Sequence, residues 1–285
     1  MFLINRDMKS NYHTHTVYCD GKDTPAEMAG AAFALGFSAL GFSGHEWAPA
    51  CRDYAMTREK EALYRQEIRA LREQYAGRME VWCGIERDYL CEPEGAFDYI
   101  IGSVHHVVKD GEEFGVDHTP EILRNGIDTV FGGDAMEMVR AYYRMEAEVL
   151  RKTGGQIVGH FDLVTKFNED GRFFDESSEE YKEAALEALH TIVKYWKQDH
   201  AGEVFGDPLP PVLAEVLNVT GLPIFEINTG AMARGYRTKP YPAHFLLQEL
   251  DALGVPVLLS SDCHDCRNLL YGFEDLVKQG EILAE

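Results

Sequence analysis

The stretch NYHTHTVYCDG, residues 11–21, sets His13 and His15 one residue apart and follows them with Asp20. The run leading into it, MKSNYHTH, reads as a β-strand. On a strand, positions i and i+2 project from the same face, so both imidazoles leave one rigid edge together. Two nitrogens in that relation suit a transition metal. An HxH pair alone is a weak signal, and its meaning depends on what stands at the same point of the other strands.

Reading outward, six further apolar runs have strand character: FSALGFSGH, MEVWCGIERDY, FDYIIGSVHH, QIVGHFD, LPIFEINTG and VPVLLSSDCH. Helical patterns lie between most of them. TPAEMAGAAFALG opens with Thr24 as N-cap, Pro25 in the first turn and Glu27 completing a capping box, and Gly36 stops it. Further helices are expected over 57–75, 134–151, 178–198, 211–219 and PAHFLLQELDALG, with an amphipathic segment at the C-terminus. Seven strands alternating with helices predict a parallel sheet covered on both faces. Closure into a distorted (β/α)7 barrel fits the length, and a single domain over residues 1–285 is expected, with no interior linker or repeat.

A barrel gathers the C-terminal ends of its strands into one rim. There the sequence places His13, His15, His45, Glu86, His105, His160, Asp262 and His264, with Asp20 just beyond the first strand. Scattered capping residues would not fall so regularly at strand ends. His190 and His244 sit on helical patterns and read as structural; His106 and His118 stay open.

Composition limits the alternatives. With 45% hydrophobic residues the chain can bury a sizeable core. Lys and Arg total 27 against 48 Asp and Glu, a formal charge of −21, which disfavours nucleic acid and anionic membrane surfaces as partners. No run is long enough to span a membrane, and the first residues lack a signal-peptide core, so a cytoplasmic location is expected. Six cysteines are too sparse for a disulfide framework. The CHDC pair reads as packing thiols beside Asp262 and His264.

The ordered set YHTHTVYCDG, LGFSGH, GIERDY, FDYIIGSVHH, IVGHFDLVTKF, EINTG and LLSSDCH resembles the polymerase-and-histidinol-phosphatase (PHP) superfamily, in its histidinol-phosphatase branch, along nearly the whole chain. The resemblance implies a distorted seven-stranded barrel holding two to three divalent transition-metal ions, zinc, iron or manganese. By that analogy His13, His15, Glu86 and Asp262 hold the first ion, Glu86, His105 and His160 the second, and Asp20, His45 and His264 the third. Two departures bear on this. Many relatives have Ser-Asp-His where this chain has Ser43-Gly44-His45, leaving a carboxylate absent or supplied by Glu46. Some relatives carry histidine where Gly21 stands.

The implied chemistry is hydrolysis of a small phosphate ester, L-histidinol phosphate, in histidine biosynthesis. Metal ions lower the pKa of water and neutralise phosphoryl oxygens, and Glu86 and Asp262 suit bridging roles because one carboxylate can bind two ions. Asp162 and His106 are candidates for protonating the leaving group. In NTGAMARGYRTKPYP, Arg234 and then Arg237 are candidates for gripping phosphate. A phosphodiesterase or nuclease of the same superfamily would need a basic groove with stacking aromatics, which the sequence lacks. A non-catalytic metal-stabilised module would leave no coordination position open.

Overall fold

The computed structural model describes residues 2–92 and 94–278. Strands β1 (Ser10–Asn11), β2 (Ala39–Phe42) and β3 (Glu80–Cys83) form one parallel ladder. Strands β4 (Ile85–Asp88), β5 (Ile100–Ser103), β8 (Ile157–Val158), β9 (Ile224–Asn228) and β10 (Val257–Ser260) form a second, in the order β10-β9-β8-β5-β4. Isolated parallel bridges pair Leu3 with Val257 and Thr14 with Cys263, bringing the first strand beside the last, and pair His45 with Glu86 across the two ladders.

The expected third strand, MEVWCGIERDY, is divided at Gly84 into β3 and β4. The Tyr99 ring is the physical reason: a Cβ on Gly84 would lie 2.2 Å from it, and one on Gly41 would lie 2.3 Å from its hydroxyl. Buried Tyr99 rests its hydroxyl 2.5 and 3.0 Å from the carbonyls of Tyr12 and Phe42. It occupies the seam where the two ladders part.

The expected fourth strand is also divided, into β5 and β6 (His106–Lys109). The latter turns through Asp110 and Gly111, both at positive φ, into β7 (Glu112–Gly115). The Asp-Gly pair supplies the left-handed backbone that a two-residue hairpin turn requires.

Helices cover the ladders. α1 (Pro25–Ala34) carries the expected capping box, and α2 (Arg58–Tyr75) is capped by Thr57. Met28, Ala32, Tyr64, Ile68 and Leu71 from these two helices pack with Phe42 and Val81. α3 (Pro120–Val130), capped by Thr119, was not expected from the sequence. The helix expected over 134–151 is two, α4 (Ala135–Glu146) and α5 (Val149–Thr153). α6 (Glu179–Asp199), α7 (Pro211–Thr220) and α9 (His244–Ala252) fall where expected, and the short α8 (Gly230–Ala233) is additional. Tyr142, Tyr143, Leu189 and Leu246 share the larger core with Ile101, Ile157 and Phe225. Each large apolar side chain so buried contributes about 1.5–3 kcal/mol. The C-terminal segment includes α10 (Phe273–Lys278), and residues 279–285 lie outside the described residues. Among the described residues, no helix is long and apolar enough to cross a membrane.

Candidate metal centre

Glu86 on β4 is the hub. Its side chain is fully buried, and its two oxygens face different sets of imidazoles. Oε2 lies 3.1 Å from His13 Nε2, 3.4 Å from His15 Nε2 and 3.0 Å from His45 Nδ1. Oε1 lies 2.9 Å from His160 Nε2 and 3.2 Å from His105 Nε2. Asp262 approaches the first set from β10, with Oδ1 3.2 Å from His15 Nε2 and 3.6 Å from His13 Nε2. Asp262 holds φ 47, a left-handed conformation unusual outside glycine, which costs on the order of 1–3 kcal/mol and is characteristic of functional sites. Farther out, Asp20 lies 3.1 Å from His264 Nε2, 3.6 Å from His15 Nδ1 and 3.7 Å from His45 Nε2. All nine sequence-identified ligands therefore converge.

Electrostatics explains what this cluster lacks on its own. Burial opposes charge on His13, but Glu226, Glu86 and Asp262 outweigh it and hold its pKa well above the usual range. Burial similarly opposes His105, and Glu86 and Asp88 overcome it. His15, by contrast, is pushed down to about 3 by burial and by its neighbours His264 and His45. Its Nε2 has no hydrogen-bond partner. A neutral imidazole with an orphaned buried nitrogen, facing two carboxylates, fits a cation between them. Burial works against ionisation of Glu86, yet His45, His13 and His105 hold its pKa well below the carboxylate norm. The donor set is imidazole nitrogen and carboxylate oxygen, the chemistry of zinc, iron or manganese sites.

Two supporting carboxylates were missed in the sequence. Glu226 on β9 is 1% exposed; its Oε1 lies 2.7 Å from His13 Nδ1, and its Oε2 accepts from the His160 backbone N–H. Asp88 Oδ2 accepts the His105 backbone N–H at 2.9 Å and sits 3.1 Å from His105 Nδ1. Such partners fix which ring nitrogen faces the Glu86 carboxylate. The signal was available, because an acid flanked by Phe225 and Ile227 in a buried strand must be paired.

The cluster floors a cavity of about 260 Å³ lined also by Tyr54, Asp117, His118, Leu163, Lys166, Tyr236 and Arg234. A larger groove of about 740 Å³ between α4 and α6 contains none of the ligands. Arg234 donates to Asp262 Oδ2 at 3.0 Å, in space kept open by Gly230, whose Cβ would lie 2.7 Å from that oxygen.

Arg237 does not reach the cavity lining: it is tied to Glu176 at 2.8 Å and Glu169 at 3.0 Å. Lys166 does line the cavity; it donates to the Asp117 carbonyl at 2.8 Å and lies 3.2 Å from its carboxylate. Asp162 and His106 also lie outside the lining. Asp162 Oδ2 accepts the Ala243 N–H, and His106 stacks on Tyr54 away from the Glu86 cluster. Glu46 does not replace the absent carboxylate beside His45, because it is bound to Arg87. Gly21 admits no side chain, since a Cβ would meet the His15 backbone at 2.5 Å. Cys263 and Cys266 are free thiols, and Cys263 packs against Met28. His190 pairs with Glu249 on the surface.

The sequence model of the PHP domain matches residues 11–199. The chain belongs to the PHP domain family. A protein of Deinococcus radiodurans named probable histidinol-phosphatase is 28% identical over 280 residues, covering 94% of this chain and 90% of the relative. The histidinol-phosphatase of Bacillus subtilis is 22% identical over 295 residues, covering 95% of this chain and 99% of the relative. Among solved structures, a protein of Listeria monocytogenes named putative histidinol phosphatase superposes with TM-score 0.72 at 19% identity, covering 94% of this chain and 99% of the other. The histidinol phosphate phosphatase of Lactococcus lactis, solved with zinc, L-histidinol and phosphate, superposes with TM-score 0.64 at 20% identity, covering 95% and 93%. The mixed α/β fold is the one these PHP structures share.

Proposed function

We propose that this chain is a metal-dependent phosphomonoesterase that hydrolyses L-histidinol phosphate to L-histidinol and phosphate. The observation that carries this reading is the buried Glu86 carboxylate, with imidazoles on both oxygens, at the floor of a cavity that also presents Arg234 and Lys166. Relatives named for this activity match nearly the full chain, and the Lactococcus lactis neighbour carries zinc, histidinol and phosphate, which supports the same substrate class here.

About two to three divalent ions are expected per chain, zinc, iron or manganese, an estimate from ligand sharing. His13, His15, Asp262 and Glu86 Oε2 would hold the first, Glu86 Oε1, His105 and His160 the second, and Asp20, His45 and His264 the third. Such ions supply an activated water near neutral pH and neutralise phosphoryl charge. The protein groups do the rest. Glu226 and Asp88 hold His13 and His105 in the tautomers that point Nε2 at Glu86. Arg234 offers a forked pair of N–H donors to phosphoryl oxygens. Lys166, steadied by Asp117, offers its N–H to the departing alkoxide oxygen, a role for which the sequence offers Asp162 and His106 as candidates. Tyr54 and Tyr236 present ring surfaces suited to a flat imidazole, and Asp117 and Asp20 supply negative charge near the substrate's amine.

Counting β3 and β4 as one strand divided at Gly84, we read the two ladders and their bridging pairs as a distorted seven-stranded barrel forming a single domain. The unpaired cysteines favour a cytoplasmic location. The test is a panel of esters against metal-loaded protein. Histidinol phosphate should be hydrolysed far faster than an unrelated sugar phosphate or a phosphodiester. Equal rates on the sugar phosphate would remove the substrate assignment, and preference for the diester would overturn the monoesterase reading.

A further inference from the structure

A second cluster of ligand-type side chains lies behind the His105 wall and shares no residue with the three sets above. The Cys51 sulfur, a carboxylate oxygen of Asp88 and a ring nitrogen of His106 lie within 4.8 Å of one another. They come from three separate segments: the short 3-10 turn Pro49–Cys51, the end of β4, and the start of β6. All three are buried, at 1%, 4% and 6% exposure. His106 Nδ1 has no hydrogen-bond partner. Cys91 is buried in the same small patch as Cys51, Ala48 and Ala55, with its sulfur 3.7 Å from the Glu46 carbonyl.

We infer that Cys51, Asp88 and His106 form a further divalent-metal site of the zinc class. A thiolate, an imidazole and a carboxylate are three of the four ligands of a tetrahedral zinc shell, and water can supply the fourth. Orientation of His105 accounts for the Asp88 carboxylate, but neither that contact nor packing accounts for the Cys51 sulfur beside it and the buried, unpaired Nδ1 of His106. Metal uptake would release the Cys51 S–H proton to solvent, and His106 would bind through a neutral ring nitrogen. The bound ion would tie the segment carrying Tyr54, a wall of the catalytic cavity, to the strand end that orients His105. The role is structural support of that wall and does not involve substrate.

Cobalt(II) substitution of the full chain tests this, because sulfur ligation gives a near-ultraviolet charge-transfer band that nitrogen and oxygen ligands do not. Cys19 is the control thiol, since its sulfur lies 3.5 Å from His15 Nδ1 beside the catalytic ligands. The wild type and Cys19→Ser should show the band. Cys51→Ser should lose it and bind about one equivalent less cobalt, one site's worth. Absence of the band in fully loaded wild type, or its loss in Cys19→Ser but not in Cys51→Ser, would overturn the site. Should Cys51→Ser fail to fold, cadmium-113 resonance of the wild type decides instead: a signal shifted downfield by sulfur and lost in His106→Gln supports the site, and spectra with only nitrogen and oxygen shifts refute it.

Discussion

Glutamine in place of Glu226 changes almost no volume but removes one acceptor from a position that uses two. Glu226 Oε1 receives His13 Nδ1–H at 2.7 Å, and Oε2 receives the His160 N–H and the Asn228 amide, each at 3.1 Å. A glutamine has one oxygen and one NH2. Turned one way, its nitrogen opposes His13 Nδ1–H and drives the proton to Nε2, the nitrogen 3.1 Å from Glu86 that must be free to bind metal. Turned the other way, the His160 N–H and the Asn228 amide lose their acceptor inside the core. Either outcome forfeits a charge-assisted hydrogen bond, about 1.5–3 kcal/mol. At about 1.4 kcal/mol per decade, zinc affinity should fall roughly ten- to a hundredfold. Competition against a chromophoric chelator measures this, with near-ultraviolet circular dichroism confirming the native fold. Unchanged affinity in a folded Glu226→Gln variant would refute the orienting role.

Asp262→Asn should lower turnover roughly a hundredfold or more, a loss typical of metal-shell changes, whereas His190→Gln should stay within a few fold because His190 sits in a surface pair with Glu249. Arg234→Ala should raise KM for histidinol phosphate and weaken phosphate inhibition in parallel, each by roughly tenfold or more with metal content unchanged. Arg237→Ala should leave both constants near wild type and lower Tm, since it breaks the contacts to Glu176 and Glu169. Burial pushes the Asp162 carboxyl up to about 7. Unfolded, it titrates near about 3.9, so below that pH it is protonated in both states and has no effect. Between about 4 and about 7 the folded state keeps a proton the unfolded chain has lost, and stability falls by up to about 1.4 kcal/mol per pH unit before levelling. Asp162→Asn should flatten that decline in urea titrations run across the range; an unchanged slope would place the effect elsewhere.

The candidate metal ligands other than Asp20 were legible because they stand where an apolar run ends, and strand geometry alone carries such ends to a common place. What supports them was harder to read. Glu226 and Asp88 lie inside strands, where a charge needs a partner that only the fold identifies. The hairpin β6–β7 was announced by Asp110-Gly111, yet the apolar run FDYIIGSVHH masked it. The division at Gly84 depends on a tyrosine fifteen residues later, and no local pattern encodes that contact. Arg234 and Arg237 were indistinguishable in a basic loop, because the choice between cavity and surface follows from where Asp262 and Glu176 lie. Lys166 passed unnoticed for the same reason: its partner Asp117 follows a hairpin that the sequence reading did not include.

Dependence of hydrolysis on metal held by the Glu86 cluster is what the proposed function requires above all. It is tested most directly by measuring metal content and phosphate release from L-histidinol phosphate on one preparation, as purified, after chelation and after metal is restored. About two to three ions per chain, loss of phosphate release on chelation, and its recovery on reloading are expected. Less than about one ion per loaded chain, or undiminished hydrolysis by the metal-free protein, would contradict it.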